Sequence, residues 1–461
     1  MKTDNIITMT DSYKVSHHRF YPPGIQKVYS YLESREGATA FPYTLFFGLQ
    51  YYLKQLEGVQ VTTEKINEAE ALFQEHFGRA DVFNRAGWEY IRDTHGGKLP
   101  VVIRAIPEGT KTPIGTVLMT IENTDPHCAW LVNYLETFLM KVWYPITVAT
   151  QSHYLREKIA ENLRDTGDES GVIFKCHDFG YRGVSSEETA RIGGAAHLVS
   201  FMGTDTFGAI SLLRDVYGTG MPGYSIPATE HSIICSFGGE VNEIEALTHV
   251  LKAYPSGLLA CVSDTFNIYK ACETFGTTLK DLVMARQGTL VIRPDSGDFF
   301  EVVPKCLEIL WSHFGGSVNE KGFKVLDPHV RIIQGDGMDK ESIPALYGRL
   351  KHLGWSGDNL AVGSGGGLLQ KMNRDTLRFA IKASAVLVNG EWRDVQKDPI
   401  TDPGKKSKAG QWSTFRRGNE IISAPITLAR PGYHEIMETV FEDGEVKTRL
   451  TFDEVKANAS A

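Results

Sequence analysis

The sequence is poor in the features that mark several large functional classes. Its six cysteines (Cys128, Cys176, Cys235, Cys261, Cys272 and Cys306) are scattered, and no C-x-x-C pair occurs. That excludes the usual zinc-ribbon spacing and a thioredoxin-type motif. Several of them sit inside apolar runs, as small buried hydrophobes in a reducing compartment do. Basic excess is also missing: Lys plus Arg is 48 against 56 for Asp plus Glu, a net charge of −8 over 461 residues. A general nucleic-acid binder needs a basic face, so that class is excluded, whereas a phosphorylated small ligand needs only a local cluster of cations. No apolar run suits a membrane span, since the most apolar stretch, residues 129–149, is interrupted by Asn133, Glu136 and Lys141. The opening MKTDNIITMTDSYK has no apolar core of an export signal. The expectation is a soluble cytoplasmic enzyme with no nucleic-acid or membrane partner. Neither G-x-x-x-x-G-K-[ST] nor H-E-x-x-H occurs, so a P-loop is excluded and a zincin unsupported. Gly218-Thr-Gly-Met-Pro-Gly223 does match G-x-G-x-x-G, but it follows a helix-like segment and precedes a strand, the reverse of the dinucleotide fingerprint.

What is present is an ordinary globular composition, 42% hydrophobic, 10% aromatic and 23% charged. Residues 62–76 carry Ile66, Ala69, Leu72 and Phe73 at helical spacing after a Thr start, and 101–106 and 116–121 are short β-type runs. From about residue 172 short apolar runs recur, each ending in a polar or glycine-rich cluster: VIFKCHDFGYRG, HLVSFMGTD, GYSIPATEHS, GLLACVSDTFN, TLVIRPDSGD, VRIIQGDGMD, LAVGSGGG and RFAIKAS. Helix-like segments lie between them, such as 299–314 and 342–353, and the gaps suit the crossovers of a parallel sheet. Charged residues at the C-terminal ends of successive buried strands are what the active face of a (β/α) barrel produces. A doubly wound sheet would gather them at one switch point instead. The expected fold is α/β: an irregular (β/α) barrel of parallel strands over 156–384, with a second β-rich α+β domain formed by both chain ends, 1–155 and 385–461.

Each chemical motif has a bland reading beside a functional one. Gly363-Ser-Gly-Gly-Gly367 ends a buried strand and is either a flexible turn or, as a helix N-terminus with consecutive backbone N–H groups, a phosphate cradle. In Arg293-Pro-Asp295-Ser-Gly-Asp298, Asp298 reads as the N-cap of the next helix, while Arg293 and Asp295 suit an anion and ribose hydroxyls. Gln334-Gly335-Asp336-Gly337 has the same character. Glu230-His231-Ser232 sets an acid before a histidine that is either structural or a base or nucleophile. In His177-Asp178-Phe179-Gly-Tyr-Arg182, the aromatic and the arginine are either core and surface residues or a plate for a flat ring with an anion site beside it.

Taken together, TDSYK, HDFGYRGVSS, GTDT, PATEHS, SDTFN, IRPDSGD, IQGDGMD, GSGGGLLQK and KDP-x-x-DP resemble the nicotinamide phosphoribosyltransferases, in consistent order from about Asp11 to the tail. The resemblance implies a type II phosphoribosyltransferase fold. It implies transfer of the phosphoribosyl group of phosphoribosyl pyrophosphate to nicotinamide, with Mg²⁺ and with ATP as co-substrate, in NAD salvage. It implies that His231 is phosphorylated, with Asp264 and Glu230 the acids close to it. Phe179 and, from a partner subunit, Tyr13 would sandwich the pyridine ring. Asp205 would accept from the carboxamide, with Ser225 in the same substrate site. Arg182, Arg293 and Asp295 would lie near pyrophosphate, base and ribose, and Gly335, Asp336, Gly365 and Gly366 near the 5′-phosphate. Arg35, Arg374, Lys382 and Lys405 would be cations brought across the interface of a homodimer with composite sites. The metal ligands are not identified, Mg²⁺ being held mainly by pyrophosphate. A carboxylate at Asp205 favours the amide over nicotinate, whose own carboxylate it repels. The alternatives are nicotinate phosphoribosyltransferase and, from another class, a phosphate-binding barrel lyase or isomerase.

Overall fold

Strand residues alternate between two faces, and the alternation in this chain divides the apolar strand residues between two separate clusters. In a computed structural model, which describes residues 5–35, 37–398, 400–401, 407–428 and 430–461, the chain divides into two compact units. One comprises Met1–Thr150, Asp215–Thr219 and Met372–Ala461, the other Gln151–Arg214 and Gly220–Lys371.

The second unit is built on a six-stranded parallel sheet in the order Gly203–Thr204, Cys176–Asp178, Leu360–Ser364, Val330–Gln334, Leu290–Arg293, Leu259–Val262. Leu259, Cys261, Leu290, Ile292, Val330, Ile332, Leu360 and Val362 point to one face and join a large core with Val303, Cys306, Leu307 and Leu310 of helix Phe299–Phe314 and Ile343, Leu346 and Leu350 of helix Ser342–His352. The residues between them, Ala260, Val291 and Ile333, form a separate small cluster with Phe179, Ile226 and Ala361 against it. Continuing the same parity toward the strand ends puts Arg293, Gly335 and Gly363 on that inner face. The segment after Gly223 is extended but is not a ladder strand. It makes isolated parallel bridges at both edges of the sheet, Tyr224 to Gly203 and Ala228 to Ala260. Pro227 has no N–H to give to a ladder, but its carbonyl accepts from Ala260 N at 2.9 Å.

The first unit holds a seven-stranded antiparallel sheet, Glu391–Asp394, Phe379–Val388, Ile25–Ser34, Val117–Asn123, Val101–Ala105, Glu438–Glu442, Glu445–Val446. Both chain ends therefore contribute to it. Helix Thr63–Phe77 begins where expected, capped by the Thr62 side chain, which accepts from Lys65 N.

Three expectations need correction. RFAIKAS is not in the parallel series, because Phe379–Val388 pairs antiparallel with Ile25–Ser34. HLVSFMGTD is mostly the end of helix Glu187–His197 and a turn, leaving only Gly203–Thr204 as strand. In the tail, Val446 to Phe452 reads locally as a strand run, but only Val446 belongs to a strand (Glu445–Val446), and the run continues as non-ladder backbone into the helix Phe452–Ser460, which Thr451 and Glu454 cap reciprocally.

Candidate active site

At the C-terminal ends of the parallel strands lies a cavity of about 1030 Å³. Its lining includes Phe179, Arg182, Asp205, Ser225, Glu230, Arg293, Asp295, Gly335, Asp336, Gly365 and Gly366, contributed by successive strand-end loops. The geometry of Phe179 follows from a glycine. A Cβ on Gly363 would collide with Phe179 Cδ2 and Cε2 and stand 2.7 Å from Cζ, so the ring occupies the space that any side chain at 363 would fill. Gly335 also faces the ring, with its hypothetical Cβ 3.4 Å from Cε2. Phe179 N donates to Ser364 O at 3.0 Å, holding the loop to the neighbouring strand.

Asp205 is exposed in the same cavity. Ser225 Oγ donates to its Oδ1. Arg293 lies at the end of its strand with Nε 3.9 Å from Asp295 Oδ1, too long for a hydrogen bond, and that Nε is buried without an acceptor. A guanidinium N–H in that condition suits an anionic ligand. Gly365, Gly366 and Gly367 line the cavity where the short helix Gly366–Leu369 begins, and a Cβ on Gly366 would meet nothing within 4 Å. The earliest donors to this turn are Leu368 N and Leu369 N onto Gly365 O.

His231 opens helix His231–Cys235, and its Nε2 lies 2.9 Å from Asp264 Oδ1. The other oxygen of Asp264 accepts from Asp295 N at 3.0 Å and from Ser296 Oγ. Burial pushes the Asp264 carboxyl up, but the Ser296, His231 and Asp295 hydrogen bonds outweigh it and hold the group below its usual value. An ionised carboxylate only accepts, so His231 Nε2 is the donor to Asp264. Glu230 accepts from Ser232 Oγ.

The N-terminal family model for nicotinamide phosphoribosyltransferase matches residues 5–103, and the model of the nicotinate phosphoribosyltransferase (NAPRTase) family matches 174–448. The chain is 46% identical over 468 residues to a nicotinamide phosphoribosyltransferase of Xanthomonas campestris pv. campestris, covering 99% of this chain and 98% of that protein. The chain belongs to the nicotinamide phosphoribosyltransferase family. A further member, from Acinetobacter baylyi, is 31% identical over 98% of this chain and 96% of its own length. The fold is shared with nicotinate-nucleotide pyrophosphorylase from Pyrococcus furiosus, with a TM-score of 0.64 at 14% identity over 100% of this chain and 96% of that one. It is shared too with human nicotinic acid phosphoribosyltransferase, with a TM-score of 0.59 at 16% identity over 98% and 93%.

Within this nicotinamide phosphoribosyltransferase-family chain, not every expected residue lies in the cavity's unit. Tyr13, Arg35, Arg374 and Lys382 belong to the first unit. Tyr13 is 58% exposed on the 3₁₀ helix Ser12–Arg19, and Lys382 sits opposite Tyr31 in the antiparallel sheet. Burial holds Lys382 below the usual lysine value, and the charges of Arg35, Lys14 and Arg374 act in the same direction against Glu136. These cations therefore form one electropositive group. Lys405 lies outside the described residues.

Residue reading missed His177, Tyr181, Thr229, Met338 and Lys371 in the lining. His177 was legible from strand parity, two positions before Phe179. Lys371, six residues after Gly365, carried only the weak signal of a lysine after a glycine run.

Proposed function

We propose that this chain transfers the phosphoribosyl group of phosphoribosyl pyrophosphate to nicotinamide, giving nicotinamide mononucleotide and pyrophosphate for NAD salvage. The observation that carries this reading is the pairing, in one cavity, of an aromatic ring seated on Gly363 with the carboxylate of Asp205, beside Arg293, whose buried Nε has no hydrogen-bond acceptor, and the glycine turns. A flat pyridine stacks on Phe179 while its amide NH₂ donates to Asp205, which orients the ring nitrogen toward C1′ of the ribose. The nitrogen forms the new bond as the C1′–O bond to pyrophosphate breaks. Arg293, Arg182 and Lys371 take up the charge of the leaving diphosphate, a preorganised electrostatic effect.

When bound, Mg²⁺ supplies further neutralisation of the pyrophosphate. Among the described residues the cavity carboxylates Asp205, Glu230, Asp295 and Asp336 make no cluster of three converging ligand atoms. That arrangement suits an ion carried mainly on phosphate oxygens and touched by one or two of these acids.

ATP acts at His231: Nδ1 attacks the γ-phosphorus, the bond to the ADP oxygen breaks, and Asp264 holds the Nε2 proton and stabilises the charged ring. The functional form is a homodimer in which Tyr13 and the cations Arg35, Arg374, Lys382 and Lys405 complete the partner's cavity, and the segment bridged at both sheet edges closes the strands into an irregular barrel. The six free thiols suit a reducing cytoplasm.

Comparing kcat/KM for nicotinamide and nicotinate tests the reading. A marked preference for nicotinamide that Asp205→Ala erases is the expected result. Equal use of both bases by the unaltered protein refutes it.

A further inference from the structure

Asp178 is the most buried acid near the cavity, with no measurable exposure, and it does not line the space. It ends strand Cys176–Asp178 between the two loops that carry Phe179 and Asp205. Its Oδ1 accepts from Gly180 N at 2.7 Å, closing the turn that presents Phe179. Its Oδ2 lies 3.5 Å from Thr204 Oγ1, which in turn accepts from Thr206 N at 3.0 Å, so the residues on both sides of Asp205 are tied back to it. Its backbone carbonyl accepts from Asp205 N at 3.0 Å. Helix Glu187–His197 seals the far side, because a Cβ on Gly194 would stand 3.0 Å from Oδ2.

We propose that Asp178 is a positioning residue for the heterocycle: one buried carboxylate sets the spacing between the Phe179 ring and the Asp205 carboxylate, and so governs affinity for the base without touching it. This rests on the reading of Phe179 and Asp205 as the pair that holds the base. A carboxylate suits the place because it offers two acceptors to two loops at once, where an amide offers one and an aliphatic side chain none.

The arrangement has a pH signature. Burial pushes Asp178 up to about 6, against the Gly180 amide, and the like charge of Asp205 adds to the rise. His177 on the same strand and His197 on the packed helix also face this region. Burial lowers both, with the charge of Asp205 opposing it at His177, and His197, lowered to about 3, is neutral where Asp178 titrates. Its register neighbour Ser364 is uncharged. As pH falls through about 6, protonation weakens both acceptors and loosens the two loops.

The test uses the full-length protein, with initial rates measured against varied nicotinamide at saturating phosphoribosyl pyrophosphate and the reverse, across this pH range. Asp178→Ala is expected to raise the KM for nicotinamide about tenfold while the KM for phosphoribosyl pyrophosphate stays within about twofold. Asp178→Asn keeps an acceptor for Gly180 N in nearly the same shape. It is expected to restore part of that affinity and to abolish the rise in nicotinamide KM that the unaltered protein shows toward acid. An equal rise in both KM values, no rise in either, or an unchanged acid limb in Asp178→Asn would overturn the proposal. If Asp178→Ala does not fold, the pH profile of Asp178→Asn decides alone. The base preference of the unaltered protein is measured first, so failure of the Phe179–Asp205 reading is seen separately from failure of the role given to Asp178.

Discussion

Replacing Gly363 by alanine puts the central feature of the site under direct strain. Gly363 has no positive φ, so its backbone tolerates a side chain, and the cost falls on the ring above it. The added methyl would overlap two ring carbons of Phe179 and stand 2.7 Å from a third. Carbon atoms pack at about 3.5–4.0 Å, so the ring must retreat by about 1 Å at the least-affected of the three atoms and further at the others. Phe179 N stays tied to Ser364 O at 3.0 Å, so the loop cannot follow freely and the ring must tilt. An aromatic pair contributes about 0.5–1.5 kcal/mol beyond area burial, and losing it corresponds to a rise of roughly 2- to 13-fold in nicotinamide KM. Misplacing the base by about 1 Å costs kcat as well, by up to about 100-fold. Gly335→Ala is the graded control. Its methyl would lie 3.4 Å from the ring and 3.0 Å from Asp295 Oδ1, so the effect on nicotinamide KM should be smaller. The assay is steady-state formation of the mononucleotide with each substrate varied, together with a thermal melt to confirm folding. A folded Gly363→Ala protein whose nicotinamide KM and kcat both stay within about twofold would refute the seat assigned to the ring.

The remaining predictions concern the histidine, the subunit arrangement and the first unit. His231→Ala is expected to keep basal transfer and lose both ATP stimulation and labelling from γ-labelled ATP; full stimulation would remove the phosphohistidine from the scheme. Asp264→Asn should reduce that labelling with little loss of fold near neutrality. Because Asp264 is held below its usual value, its hydrogen bonds contribute stability that is present above about pH 3.9 and lost as pH falls through its folded value, so the melting difference between the two proteins should shrink in acid. Mixed Tyr13→Ala and Phe179→Ala subunits should recover part of the activity neither has alone, and absence of recovery after proven subunit exchange would count against composite sites. Glu108 is buried and accepts from Gly48 N, Gln50 N and Tyr217 Oη at 3.0, 2.6 and 2.7 Å. Orphaning three donors costs about 1–3 kcal/mol each, so Glu108→Ala should lower stability by about 3 kcal/mol or more, and an unchanged denaturant midpoint would contradict it.

Much of the site was readable one residue at a time. Asp298 caps its helix, its side chain accepting from Phe300 N at 2.9 Å, because an acid before FFEVV has that use in any fold. The glycine turns, the acids at strand ends and Glu230-His231 were visible as motifs, and the family likeness attached roles to them. Residue reading failed where a decision depended on distant chain. RFAIKAS has the same apolar texture as LAVGS, and only pairing with Ile25–Ser34 separates them. GYSIPATEHS looks like a strand locally, yet Pro227 breaks the donor pattern and leaves isolated bridges instead.

By itself the sequence determined the alternation along each strand, the order of the motifs, and the scattered cysteine spacing and charge balance that bar whole classes of function. An apolar period of two states that neighbouring residues face opposite ways, but it does not say which way is inward. The tertiary structure decided that: it turned Ala260, Val291 and Ile333 inward, carried Arg293, Gly335 and Gly363 to the rim above them, and laid Phe179 on bare backbone. The physical reason is that convergence on a cavity is a property of several strands in register, each adding one residue, and no single stretch of chain holds that information.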